Sequence, residues 1–177
     1  MKARIFRACA VIFAATLLAA CQQRERPVLP PVAGPAEALK VPPEQLRMPL
    51  VIGEGQAAIS DYRGKVLLVN FFGGSSEECR EEIAPLNALL AELNGKPFAM
   101  IGVAMDLKPQ IYVADDLRDS QPAFPYVLGG KIARQAFPTV RVLPTKWLMD
   151  RSGQVVKRYE GATSLMQVRA DIDELMK

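Results

Sequence analysis

Residues 66–79 read VLLVNFF and then GGSSEEC, and this stretch decides the fold. The run Val66–Phe72 is almost entirely apolar, which is typical of a strand buried on both faces. The glycines and serines that follow break the strand, and a helix is predicted from Ser76 to Leu93, with a kink at Pro85. Because ligands of open α/β sheets bind outside the carboxyl ends of the strands, this strand–helix junction is the candidate site.

The rest of the chain alternates between strand and helix patterns. Phe98–Met105 is predicted as a second buried strand, parallel to the first because a helix connects the two. The other predicted elements are a hairpin of Leu50–Ile52 and Gln56–Ile59, helices at Gln110–Arg118 and Lys131–Ala136, strands at Lys146–Met149 and Gln154–Tyr159, and a last helix from Ser164. Trp147 is predicted to belong to the core. Together these elements predict an α/β fold.

The composition removes several classes of chemistry. The chain has 177 residues, of which 50% are hydrophobic and 23% are charged, which is enough for one domain with a sizeable core. It has no histidine, which excludes a Ser-His or Cys-His nucleophile pair and any His-ligated metal. Its 3 cysteines are too few for a four-cysteine metal site. We therefore expect neither a metal nor another cofactor.

The first 20 residues have the features of a secretory signal peptide. Lys2, Arg4 and Arg7 precede an apolar run that ends at Ala20 and is too short for a comfortable transmembrane helix. The sequence Leu-Ala-Ala-Cys at 18–21 resembles the bacterial lipobox, which implies a lipid on Cys21; an ordinary signal peptide or an uncleaved anchor is the alternative. Removing the three basic residues leaves equal numbers of basic and acidic residues, so we expect no nucleic-acid partner.

The predicted location is the cell envelope, where the protein faces the periplasm and is held to a bacterial membrane by its lipid. Gln22, next to the lipidated cysteine, favours the outer membrane. Residues 21–45 are predicted as a proline-rich, semi-rigid linker, and the alternative is a tail that wraps the domain. Because Cys9 leaves with the signal peptide and Cys21 carries the lipid, Cys79 is the one thiol expected in the mature protein.

Three stretches resemble the TlpA/ResA-like family of membrane-anchored thiol-disulfide oxidoreductases. They are RGKVLLVNFF at 63–72, VRVLPT at 140–145 and the turn Asp150-x-x-Gly153. The resemblance covers residues 46–177 and implies a thioredoxin-like fold, in which helices flank a central mixed sheet. It also implies that Leu143 and a cis Pro144 face the active site, where relatives pair their backbone with a bound peptide.

The sequence departs from this family at the reactive residues. The family motif is Trp-Cys-x-x-Cys, and the corresponding residues here are Ser75, Ser76 and Cys79. Disulfide exchange needs a thiolate that attacks and a second thiol that resolves the mixed disulfide. A serine hydroxyl at position 76 cannot replace the attacking thiolate without a base. We therefore predict that the domain has no dithiol redox activity of its own.

Cys79 and the serines also have simpler interpretations. Cys79 shares a helical stripe with Ile83, Leu86, Leu90 and Leu93, which predicts that it is buried and poorly ionised rather than reactive. Ser75 and Glu78 match a capping box, and Ser76 is itself a suitable N-cap. The serines could therefore begin the helix, with or without a contact to a ligand.

Three functional hypotheses follow. The first is a protein- or peptide-binding module of the cell envelope, with a groove formed by Ser75, Ser76, Leu143 and Pro144. The second is a monothiol enzyme that uses Cys79 in mixed disulfides or, because Ser76-x-x-Cys79 resembles the peroxiredoxin motif, against peroxide; Phe72 stands where that motif has a proline. The third is thiol-disulfide exchange in which a partner supplies the missing cysteine.

Overall fold

The computed structural model describes residues 46–107, 110–137 and 139–177. The predicted signal peptide, the lipid attachment at Cys21 and the linker lie outside the described residues. In chain order the described elements are β1 (Arg47–Pro49), β2 (Gln56–Ala58), a 3-10 helix (Ile59–Tyr62), β3 (Val66–Phe72), α1 (Glu77–Glu81), α2 (Ile83–Glu92), β4 (Phe98–Ala104), α3 (Gln110–Arg118), β5 (Tyr126–Leu128), α4 (Gly130–Ala136), β6 (Thr145–Met149), β7 (Val155–Glu160) and α5 (Leu165–Leu175).

The central sheet has five strands in the order β5-β4-β3-β6-β7. Strand β3 pairs in parallel with β4, and β4 pairs in parallel with β5. On the other side of β3, strands β6 and β7 are antiparallel. The structure thus confirms the predicted α/β fold with a mixed sheet and a parallel central pair, and it places the carboxyl ends of β3, β4 and β5 at one edge.

Each face of the sheet carries its own apolar core. Residues of α1, α2, α3 and α5 pack on one face, which includes Leu68 and Phe72 of β3. The other face, which includes Phe71 and Trp147, is covered by α4 and by the β1–β2 hairpin. The rings of Phe71, Phe137 and Trp147 meet edge to face with centroids 5.0–5.3 Å apart. Trp147 is therefore a core residue, as predicted.

Three predicted elements differ from the structure. The helix predicted from Ser76 to Leu93 is divided into α1 and α2. The break lies at Glu82, because the ring of Pro85 would clash with a helical carbonyl group at Glu81, four residues earlier, where α1 ends. The first strand of the hairpin is Arg47–Pro49 instead of Leu50–Ile52, since Leu50 bridges to Val127 of β5. Strand β5 was not predicted. None of the described helices is long and apolar enough to span a bilayer.

Candidate functional site

Ser76 caps the helix that begins at the carboxyl end of β3. Its Oγ accepts a hydrogen bond from the Cys79 N–H at 3.2 Å, and its hydroxyl donates to a carboxylate oxygen of Glu78 at 3.0 Å. The capping box predicted for Ser75 and Glu78 is therefore wrong, because Glu78 pairs with Ser76 and the cap lies one residue later. Ser75 is exposed at the tip of the loop.

The loop before α1 lies against the segment that precedes β6. The peptide bond between Leu143 and Pro144 is cis, as the family resemblance implies. A Cβ atom on Gly73 would come within 2.9 Å of the Leu143 side chain, so glycine permits this close approach. The Pro144 carbonyl accepts a hydrogen bond from Gly161 N–H at 2.8 Å, which ties the cis-proline segment to the end of β7. Of the four predicted groove residues, Ser75 is exposed, Ser76 and Leu143 are partly exposed, and Pro144 is buried.

Gly74 is held by side chains that the sequence analysis did not single out. Its N–H donates to Asp106 Oδ2 at 3.0 Å, and its carbonyl accepts from Arg80 Nη1. The side chain of Asp116 on α3 fills the space where a Cβ of Gly74 would lie. The position of Asp106 was accessible to prediction, because it follows β4 and the carboxyl ends of parallel strands meet at one edge. The loop that carries Ser75 and Ser76 is therefore preorganised.

Cys79 lies behind this loop and is 1% exposed. Burial raises the pKa of its thiol, and the charge of Glu82 raises it further, while the Ser76 side chain, the Gly73 backbone and Lys146 oppose the shift. The predicted stripe is confirmed at Cys79, Ile83, Leu86 and Leu93, which are buried, but Leu90 is only partly buried. Cys79 is thus a buried thiol whose ionisation is disfavoured, next to a Ser76 hydroxyl that is already hydrogen-bonded.

A buried ion pair lies next to Cys79. Lys146 is 0% exposed, and its Nζ lies 2.8 Å from Glu82 Oε1 and 2.7 Å from Oε2. Burial raises the pKa of Glu82 although Lys146 and the Thr163 N–H oppose the shift. The pair joins β6 to the α1–α2 junction, because Glu82 stands between the two helices. The pair itself escaped prediction, although a lysine within the apolar strand TKWLM was a visible signal.

The ion pair belongs to a row of polar groups across the sheet. Asn70 lies opposite Lys146 in register on one side and opposite Gly102 on the other. Gly102 in turn faces Tyr126 of β5, whose hydroxyl accepts from Asn70 Nδ2 at 2.9 Å. A Cβ on Gly102 would lie 2.2 Å from the Tyr126 ring, so the ring reaches Asn70 across a glycine. Burial also raises the pKa of Tyr126, which keeps its hydroxyl neutral.

The described ranges contain no group of three or more His, Cys, Asp or Glu residues that could hold a metal ion. The functional groups at this edge are the Ser75 and Ser76 hydroxyls, the Cys79 thiol and the backbone of the cis-proline segment. The one thiol among these groups, that of Cys79, lies beneath the surface.

The fold and the loop before α1 define a thioredoxin-like protein. The family model described as the AhpC/TSA family matches residues 48–171, and the chain belongs to that family. Thiol-disulfide oxidoreductase ResA of Bacillus thuringiensis is 26% identical over 121 residues, which cover 67% of this chain and 66% of the relative. The chain thus matches slightly less than two thirds of that relative's length. A glutathione peroxidase homologue of Halalkalibacterium halodurans is 56% identical over 32 residues, 18% of this chain and 20% of the relative.

Two solved structures illustrate the range of proteins with this fold. A thiol:disulfide interchange protein of Chlorobium tepidum has a TM-score of 0.66 at 20% identity, over 75% of this chain and 93% of the other. Peroxiredoxin Q of Xanthomonas campestris has a TM-score of 0.66 at 23% identity, over 78% and 98% of the two chains. Similarity at these identities establishes the thioredoxin-like fold, and the ResA match places thiol-disulfide oxidoreductases among the relatives of the chain.

Proposed function

We propose that this protein is an exported, lipid-anchored member of the thiol-disulfide oxidoreductase relatives that has no dithiol activity and binds an extended polypeptide segment in the cell envelope. The proposal rests on the state of the two residues that occupy the positions of the family's reactive cysteines, at the junction of β3 and α1. The residue in the attacking position, Ser76, caps a helix, and the remaining thiol, Cys79, is almost completely covered.

The absence of dithiol chemistry is supported by what each group can do. A thiolate must attack a disulfide before a second thiol can release the product. The Ser76 hydroxyl has no histidine to activate it, and it is already bonded to Cys79 N–H and Glu78. The raised pKa of Cys79 reduces its thiolate fraction at neutral pH. Neither group therefore provides the attacking thiolate.

The binding role is supported by the edge that remains. Leu143 packs against Gly73, and the neighbouring Val142 is 48% exposed. Ser75 is also exposed, on a loop that is held by the hydrogen bond from Gly74 N–H to Asp106. A preorganised edge of this kind binds a chain at a lower entropic cost than a mobile one. Export and lipid attachment rest on the N-terminal sequence, which also favours the outer membrane.

A charge placed on the groove wall is expected to abolish binding. In Val142→Glu, a carboxylate replaces an exposed apolar side chain next to Leu143, and its desolvation opposes a bound segment. The matched control is Val156→Glu, since Val156 is 39% exposed on β7, away from the groove. Crosslinking in intact envelopes, followed by quantitative mass spectrometry, should recover partners with the wild type and with Val156→Glu but not with Val142→Glu. Identical recovery of partners with all three proteins would show that the groove does not bind them.

A monothiol function is the second candidate, because peroxiredoxin Q shares the fold and Ser76-x-x-Cys79 resembles the peroxiredoxin motif. The two candidates differ in the reactivity of Cys79. We expect the alkylation rate of the folded protein to rise with pH with a midpoint above that of a free thiol, since burial disfavours the thiolate. Unfolding in urea should restore ordinary alkylation. A midpoint below that of a free thiol, together with peroxide consumption, would favour the monothiol enzyme.

A further inference from the structure

Three strongly exposed apolar side chains follow one another closely in the sequence, after β4 and at the start of α3. Leu107 follows β4, and Ile111 and Tyr112 belong to the first turn of α3; they are 70%, 64% and 58% exposed. We call these three residues the α3 patch. Single exposed apolar residues are ordinary, but adjoining ones commonly mark a surface that another molecule covers.

The α3 patch adjoins the loop that forms one side of the groove. Tyr112 stands one helical turn before Asp116, and the Asp116 side chain lies directly against Gly74. On the other side, Leu107 follows Asp106, which accepts the Gly74 N–H at 3.0 Å. A segment that passes over Ser75 therefore reaches the α3 patch next.

The surface around the α3 patch is acidic. The exposed carboxylates here are Asp115 of α3, Asp119 directly after α3 and Glu77 of α1. Arg118 is the basic residue of α3 and is already paired with Asp115 at 2.7 Å. The guanidinium of Arg80 on α1 is engaged by the Gly74 carbonyl, and Lys131 is an exposed basic residue of α4. The α3 side therefore favours cations and repels anions.

From this surface we infer that the partner segment is apolar and cationic: apolar side chains cover the α3 patch, and lysine or arginine beside them meets the carboxylates of α1 and α3. This inference rests on the proposed function, because it names the chemistry of the segment held in the groove. It adds a direction, since the cationic part of the segment lies over α3 and not over α4.

Two synthetic peptides of equal length test the inference, one alternating leucine with lysine and one alternating leucine with glutamate. With the full mature protein at low salt, fluorescence anisotropy should give at least about tenfold tighter binding for the lysine peptide, and added salt should reduce the difference. The double variant Asp115→Lys/Asp119→Lys should reverse the preference. Tyr112→Ser should weaken the binding of the lysine peptide. Met166→Ser removes an apolar side chain that is 82% exposed on α5 and should leave this binding unchanged.

The outcomes separate this inference from the proposed function. If both peptides bind equally and charge reversal has no effect, the cationic chemistry is wrong. If Val142→Glu nevertheless abolishes their binding, the groove still holds a segment and the proposed function stands. If Met166→Ser weakens binding as much as Tyr112→Ser does, the peptides adhere to any apolar surface and the α3 patch is not a docking site.

Discussion

Replacing Ser76 with cysteine is expected to give the protein a thiol-disulfide reductase activity, which we propose that the wild type does not have. The Ser76 side chain is a hydrogen-bonding neighbour of the Cys79 thiol, so the new sulfur would lie beside the old one. A cysteine at a helix N-terminus has a lowered pKa and supplies the attacking thiolate, and Cys79 would resolve the mixed disulfide. We expect insulin reduction by dithiothreitol to accelerate on the order of 100-fold over the wild type, because a hydroxyl is replaced by an ionisable nucleophile.

Ser75→Cys is the matched control for this experiment. Ser75 is exposed and does not cap the helix, so a cysteine there lacks the placement that brings position 76 next to Cys79. It should form no internal disulfide with Cys79 and give little activity, and Ser76→Cys combined with Cys79→Ala should lose the gain. Wild-type protein that reduces insulin as fast as Ser76→Cys would overturn the proposal that the domain has no dithiol activity.

Replacing Lys146 with methionine should destabilise the protein by about 3–5 kcal/mol, because it leaves the partly buried Glu82 without its counter-ion. The cost should be largest at neutral and higher pH. Because the folded-state pKa of Glu82 is already raised from 4.5 and loses the opposing effect of Lys146, the penalty should shrink as the pH falls and the carboxyl group becomes neutral. Urea denaturation across this pH range measures the effect.

Two further variants show whether the cost comes from the pair. Arg118→Met breaks an exposed ion pair with Asp115 and should change the free energy of unfolding by no more than about 0.5 kcal/mol. Adding Glu82→Gln to Lys146→Met removes the unpaired charge and should recover part of the loss, so the two substitutions are non-additive. A Lys146→Met protein within about 1 kcal/mol of the wild type would contradict the assignment of Lys146 as a required counter-ion.

The strands that position the site were predictable because their signal is local. The run Val66–Phe72 has the predicted bounds, and α3 also begins and ends as predicted. The burial of Cys79 followed from helical spacing alone. These features depend on residues that are close in the sequence, and the spacing of apolar residues in a strand or helix indicates them directly.

The rest depends on contacts between distant parts of the chain. Strand β5 has only three residues and exists because β4 pairs with it, so its own sequence carries little signal. The pairing of Lys146 with Glu82 joins residues 64 positions apart, and no spacing rule predicts it. The first hairpin strand is shifted for the same reason: Leu50 forms an antiparallel bridge with Val127 of β5, the edge strand of the central sheet.

The contact between Gly102 and Tyr126 has a consequence for how this lineage can change over time. Any substitution at 102 adds atoms where the aromatic ring already lies, and a smaller residue at 126 leaves Asn70 without an acceptor for its amide. The three positions must therefore mutate in concert or stay as they are. Descendants of this chain should inherit glycine, tyrosine and asparagine as one unit, even where the surface around them diverges freely.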